Sequence, residues 1–300
     1  MSLGNETPTA ESDAHSHGTS RRTFLKTSAT LAVAAAGVGA AMGSGAADTD
    51  TIQELDFRGG TPAVSEAPQG EDEVLFNIHG YSGSAASVSE AETFQETARD
   101  LGWTETVTAV TWDDSGLPSS AESSARETGG RLATFLEDYL DQNPSTNIRL
   151  LGHSMGGFVV MECTAALSEY QIENADAIGS YEEVDAPCEG AGFYDAIANN
   201  VSGMYNYHSS NDSIARLGQD GAQCGSGGWW GSGGDGTTPD NYHDVDVSGS
   251  VGSHFGYKSS SSCVQQIIDN HEPGIDRGGG SDGGSDGGSD GGSDDGSSWW

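Results

Sequence analysis

Positive charge is what this chain has least of. It carries 11 lysine and arginine residues against 46 acidic ones, a formal net charge of -35, and lysine occurs only as Lys26 and Lys258. So acidic a surface repels a phosphate backbone, which excludes nucleic acid as a partner. Cysteine is sparse as well. Cys163, Cys188, Cys224 and Cys263 show no zinc-ligand spacing, so no metal is expected. No Gly-Lys-Ser/Thr phosphate loop occurs, and no glycine-rich dinucleotide fingerprint sits between a strand and a helix, so no cofactor is implied. In an oxidising exterior the four cysteines allow three full pairings; Cys188 with Cys224, both in polar segments, is the preferred one, and Cys163 reads as core packing.

Both ends of the chain read unlike folded protein. Ser20-Arg21-Arg22-Thr23-Phe24-Leu25-Lys26 precedes a weakly apolar run from Thr27 to Ala47, which Gly37, Gly39, Gly43, Ser44 and Gly45 make a poor spanning helix. A twin arginine ahead of a mild apolar stretch resembles a twin-arginine export signal. That implies export by the twin-arginine machinery, cleavage near Ala47-Asp48 and a secreted or extracytoplasmic location. Past Arg277 the chain repeats Ser-Asp-Gly-Gly, with nothing to offset the entropy of ordering it, and disorder is expected. Residues 1–50 are therefore assigned to the signal and a flexible start, 51–277 to one folded domain, and 278–300 to a tail. Arg21, Arg22 and Lys26 balance Glu6, Glu11 and Asp13, so the remainder carries the whole acidic excess. Such a fold needs counterions to stay compact. The composition resembles that of secreted proteins of halophilic archaea, which implies loss of structure when salt is removed.

Between the ends, apolar periodicity alternates between strand and helix. Glu73 to Ile78 is a compact apolar strand, and Val88, Ala91, Phe94, Ala98 and Leu101 then recur at helical spacing. Val107 to Trp112 is a second strand. Leu132, Phe135, Leu136 and Leu140 mark a helix that stops before Pro144, and Ile148 to Leu151 a third strand. A helix from Phe158 to Leu167 and a strand from Ala175 to Ile178 follow. Met204 to Tyr207 and Val245 to Val247 are the last strands, and Cys263, Val264, Ile267 and Ile268 a terminal helix. That rhythm predicts an α/β fold, a mostly parallel sheet covered on both faces. Residues 217–241, glycine-rich around Trp229-Trp230, read as a long surface loop: either a lid or substrate rim, or a variable insertion without a role.

Ser154 stands in Gly152-His153-Ser154-Met155-Gly156. The bare pattern recurs around Ser281, Ser285 and Ser289, but only at Ser154 does it follow an apolar strand and open an apolar helix. A tight strand-to-helix turn there would push the hydroxyl into a cleft, and glycines on either side keep the backbone from clashing. The helix start favours negative charge on a tetrahedral intermediate.

With His79-Gly80-Tyr81 after an earlier strand, Gly-His-Ser-Met-Gly-Gly at 152–157 resembles lipases and esterases of the α/β-hydrolase superfamily, over about Asp72 to His271. The resemblance implies that 51–277 is a catalytic domain with an α/β-hydrolase fold. It further implies that the backbone N–H groups of Met155 and Tyr81 form an oxyanion hole, with His79 orienting the site from below and His153 structural. Of the eight histidines, His254 has the best context as base. It lies in a loop after the last strand, in Ser-His-x-x-Tyr, whereas His243 starts that strand. Asp212, after the preceding strand, is the expected acid, with Asp185 its rival. Ser154 Oγ and a His254 ring nitrogen are expected within about 2.6–3.2 Å, or somewhat longer without substrate. The implied activity is hydrolysis of a small-molecule or lipid ester through an acyl-enzyme. A peptidase or amidase, an acyltransferase and a non-catalytic acidic surface protein stay open beside it. No specific protein partner is inferred.

Overall fold

The structure, a computed structural model, describes residues 51–215 and 236–277. The expected export signal, the tail, Cys224 and residues 217–235 of the glycine-rich loop lie outside the described residues. Among the described residues the chain forms β1 (Gln53–Asp56), β2 (Glu73–Ile78), α1 (Ser87–Asp100), β3 (Thr106–Thr111), α2 (Pro118–Gln142) and β4 (Asn147–His153). These are followed by α3 (Gly156–Ala166), β5 (Ile172–Ile178), α4 (Tyr194–Asn200), β6 (Val201–His208), β7 (Tyr242–Asp246) and α5 (Ser261–Asp269). The strands make one sheet in the order β1-β3-β2-β4-β5-β6-β7, parallel at every pairing.

Successive strand residues point to opposite faces, so the apolar strands serve two cores. Val74, Phe76, Ile78, Ile148 and Leu150 pack with Leu132, Phe135 and Leu136 of α2 and Val159 and Val160 of α3. Leu75, Val107, Leu151 and Ile178 pack on the other face with Ala91, Phe94 and Ala98 of α1 and Val264 and Ile267 of α5. Three elements escape the periodicity reading, among them the short α4, which buries only Ile197. β1 is an edge strand with only Leu55 buried. α2 begins at Pro118, well before its large apolar stripe, because Ala121, Ala125 and Gly129 carry its buried face there. Small residues let α2 lie close to α3: a Cβ on Gly129 would stand 2.5 Å from that of Glu162.

β3 lies on one side of β2 and β4 on the other, so the chain reverses its direction of travel across the sheet between β2 and β4. Loops leaving the C-terminal ends of two such strands diverge and leave a crevice. His79 to Ser84 leave β2 there, and Ser154 leaves β4.

Candidate active site

Ser154 occupies a left-handed backbone conformation, φ 53°, in the two-residue turn between β4 and α3. A side chain there is strained, and such strain persists only where the surroundings over-determine it. Ser154 N–H donates to the Ile178 carbonyl at 3.0 Å, and the Ser154 carbonyl accepts from Gly157 N–H at 3.0 Å. A Cβ on Gly156 would stand 2.8 Å from the His79 carbonyl, and one on Gly80 2.9 Å from the Ser154 Cβ. Glycine at these positions lets the β2 loop close on the serine.

That loop is held by His79, which is wholly buried. Its Nδ1–H donates to the Gly80 carbonyl at 2.8 Å, and its Nε2 accepts from Trp112 N–H at 3.0 Å. The two rings stack 5.2 Å apart. Burial lowers the imidazole's pKa, against the opposing Gly80 hydrogen bond, and favours the neutral ring that this donor–acceptor pair requires. Ser82 in the same loop is the other non-glycine residue at positive φ among the described residues, 62°. Among the described residues, the Tyr81 and Met155 amides have no protein acceptor. Both residues line a cavity of about 450 Å³ together with Ser154, His254, Tyr181, Ile214 and Phe255.

The structure brings His254 and Asp212 together. His254 Nδ1 lies 2.8 Å from Asp212 Oδ2, which also accepts from the Tyr257 hydroxyl at 3.1 Å. The other oxygen, Oδ1, accepts from the Ile214 and Ala215 amides at 3.0 and 2.9 Å. Burial alone would raise the Asp212 pKa; the hydrogen bonds from His254, the Ala215 amide and Tyr257 outweigh it and hold the carboxyl below its ordinary value. His153 points away from the nucleophile: its Nε2–H donates to the His254 carbonyl at 2.8 Å and its ring lies 4.7 Å from that of His254. Burial, with Lys258 and His254 adding to it, pushes the His153 pKa down to about 3, so it is neutral.

Ser154 Oγ makes no hydrogen bond to His254, although both line the same cavity. The His254 ring is held from behind by Asp212 and His153, and catalytic hydrogen bonds of this kind often tighten only around a substrate. Asp185, the rival acid, is exposed and lines a different cavity, beside Arg126 and Glu182. His243, the second residue of β7, pairs with and stacks on Tyr205. Sequence reading missed two groups: the Tyr257 hydroxyl on Asp212, and a Glu90–Lys258 pair beside His254, with Nζ to Oε2 2.7 Å. The signal for the second was present, since Lys258 is one of only two lysines in the chain. Cys188 is disulfide-bonded and Cys163 and Cys263 are free and buried; the expected partner Cys224 lies outside the described residues.

A family model described as an alpha/beta hydrolase of unknown function (DUF900) matches residues 64–186, the stretch that holds His79, Gly80 and Ser154. The chain has the α/β-hydrolase fold. The matched stretch ends before Asp212 and His254. Among solved structures the chain is similar to a lipase-esterase related protein from Clostridium acetobutylicum ATCC 824, at 12% identity and a TM-score of 0.42, over 68% of this chain and 96% of that one. It is also similar to an acetylxylan esterase, at 14% identity and a TM-score of 0.38, over 66% of this chain and 98% of that one. No curated protein matches it.

Proposed function

We propose that this α/β hydrolase cleaves carboxylic esters through an acyl-enzyme on Ser154. The observation that carries the reading is a single cavity holding a strained serine at a helix start, two unused amides and a histidine bonded to a buried aspartate. Ser154 Oγ attacks the ester carbonyl as His254 Nε2 takes its proton. The Asp212 carboxylate holds the Nδ1–H tautomer and stabilises the imidazolium that forms. The Met155 and Tyr81 amides receive the oxyanion, where charge develops only in the transition state. His254 then protonates the departing alkoxide, and water, activated by the same ring, releases the acid.

His79 acts on this reaction through Gly80, as a positioning residue: it fixes the loop that presents the Tyr81 amide. The proposal extends to export by the twin-arginine route into a salty medium. The disulfide at Cys188 supports it, since such bonds persist in oxidising compartments. The direct test is a fluorophosphonate probe with the folded protein at high salt. Labelling at Ser154, together with turnover of p-nitrophenyl acetate, is the expected result. A folded protein that resists the probe and leaves the ester intact has no activated serine, and the reading is lost.

A further inference from the structure

Beside the Ser154 cavity lies a second, smaller one of about 110 Å³. The two share Glu90, His153, His254 and Phe255 as walls, and the smaller one adds Thr93, Tyr257 and Lys258. Both are walled mainly by apolar groups, but they end differently. Tyr81, Leu117, Ile214 and Phe255 are the exposed large apolar side chains among the described residues, Leu117 and Phe255 at 72% and 75% exposure. Tyr81, Ile214 and Phe255 line the larger cavity, and Leu117 precedes Pro118, which also lines it. On a chain of net charge -35, exposed apolar groups gathered at one mouth mark a surface for an apolar ligand.

The smaller cavity holds a buried ammonium. Lys258 is 6% exposed and donates to Glu90 Oε2 at 2.7 Å. An ammonium has three donors, and the other two find no protein acceptor among the described residues. His153 Nδ1, at the boundary between the two cavities, is buried without a partner and lies 3.9 Å from Glu90 Oε2. Burying charged and polar groups with unused bonding capacity is unfavourable unless something else completes them.

The triad fixes which half of a substrate goes where. His254 must protonate the leaving oxygen, so the alcohol lies on the His254 side, where Lys258 and Glu90 wall the smaller cavity. The acyl chain then lies along the apolar rim. We propose that the substrate is an ester of an apolar, uncharged acid with a small hydroxylated alcohol, whose free hydroxyls enter the recess, accept from Lys258 and donate to Glu90. At about 110 Å³ against about 450 Å³, the recess suits the smaller half of the ester. The inference deepens the hydrolase reading and rests on it.

The test compares 1-butyrylglycerol with ethyl butyrate, at high salt, by kcat/KM. The wild-type protein should prefer the glyceryl ester about tenfold, the worth of a charge-assisted hydrogen bond or two. Lys258→Met and Glu90→Gln should each lower the glyceryl rate about tenfold more than the ethyl rate, with phosphonate labelling as the check on folding. With 1-octanoylglycerol, Phe255→Ser should lose more rate than with 1-acetylglycerol. Equal wild-type rates on the two butyrates overturn the proposal, and do so even if neither polar variant folds. Equal losses on both butyrates also overturn it, because Glu90 and Lys258 would then only clamp α1 to the loop at 254–258. A wild-type protein that takes no label and turns over neither ester has instead failed the hydrolase reading.

Discussion

At the C-terminal ends of the strands, His254 lines a cavity with Ser154, and buried Asp212 bonds it from behind. Toward the other end of the same sheet, Glu73, Arg149, Asn174, Asp176, His271 and Glu272 form a second cluster of similar composition. Arg149 Nη2 donates to Glu73 Oε2 at 2.8 Å and to the Glu272 carbonyl at 3.0 Å, and Nη1 donates to Asn174 Oδ1. The second cluster is strongly perturbed too. Burial pushes the Asp176 carboxyl up to about 8, and burial together with Arg149 pushes His271 down to about 3, where His153 of the upper site also stands. Glu73 Oε1, Arg149 Nε and His271 Nε2 have no hydrogen-bond partner. Perturbed titration alone would therefore not choose between the two ends of the sheet. The upper cluster differs in access: a cavity, two residues in left-handed backbone conformations, and two lining residues whose amides have no protein acceptor among the described residues. The lower one is sealed by residues 270–277, whose backbone it binds at Asn270 and Glu272.

The sharpest way to break that contrast is to remove the nucleophile. Ser154→Ala should lower kcat on p-nitrophenyl acetate by about 10⁶ and abolish phosphonate labelling, with unfolding at high salt unchanged. Asp212→Asn should cost about 10⁴ in kcat, because the ring then loses the acceptor that selects its Nδ1–H tautomer. A loss below tenfold would mean that Tyr257 and the Ile214 and Ala215 amides hold the site without the carboxylate.

The lower cluster should answer in stability and not in rate. An unfolded aspartate titrates near 3.8, whereas folded Asp176 titrates at about 8. The folded state therefore keeps a proton that the unfolded state releases, and stability falls as pH rises through that window. Asp176→Asn stays neutral while still offering an acceptor to the Tyr205 amide, which now donates to Oδ1 at 3.3 Å. It should remove the slope, gaining on the order of a few kcal/mol at pH 8 relative to pH 5 in denaturant titrations. Its kcat/KM should stay within about twofold of wild type. An unchanged pH profile would show that Asp176 is ionised in the fold.

Much of the upper site was legible in the sequence because its chemistry demands local patterns. The turn at Ser154 needs glycines at fixed offsets, and the apolar strands before it and before His79 are unambiguous. β1 and the first half of α2 were not legible, since one buried leucine sets no alternation, and Ala121, Ala125 and Gly129, though spaced by four, are too small to stand out as an apolar stripe. The lower cluster was invisible for another reason. Glu73, Arg149 and Asp176 sit in strands whose neighbours are apolar, and only the sheet register sets Leu75 beside Arg149 and Leu151 beside Asp176. Lys258 stood out by rarity, but rarity says nothing of its partner, 168 residues away in sequence.

The smallest effect is expected at Asp185, and it is the one that tests the choice of acid. Asp185 and Asp212 both follow strands of the same sheet, β5 and β6, so their sequence contexts are alike. They differ in what the loop does next. After β6 the Asp212 amide donates to the Ser209 carbonyl at 2.9 Å, a turn that swings the side chain under His254. After β5 the chain runs on past Tyr181, and the Asp185 carbonyl accepts from Cys188 N–H at 2.9 Å while the side chain stays exposed. Exposed carboxylates on an acidic surface contribute little. Asp185→Asn should therefore change kcat/KM by less than about twofold, four orders of magnitude short of the loss expected at Asp212. If the two losses were reversed, the loop after β5 would have to refold during turnover to bring Asp185 to His254. The bond from Asp212 to Nδ1 would then belong to the resting enzyme alone.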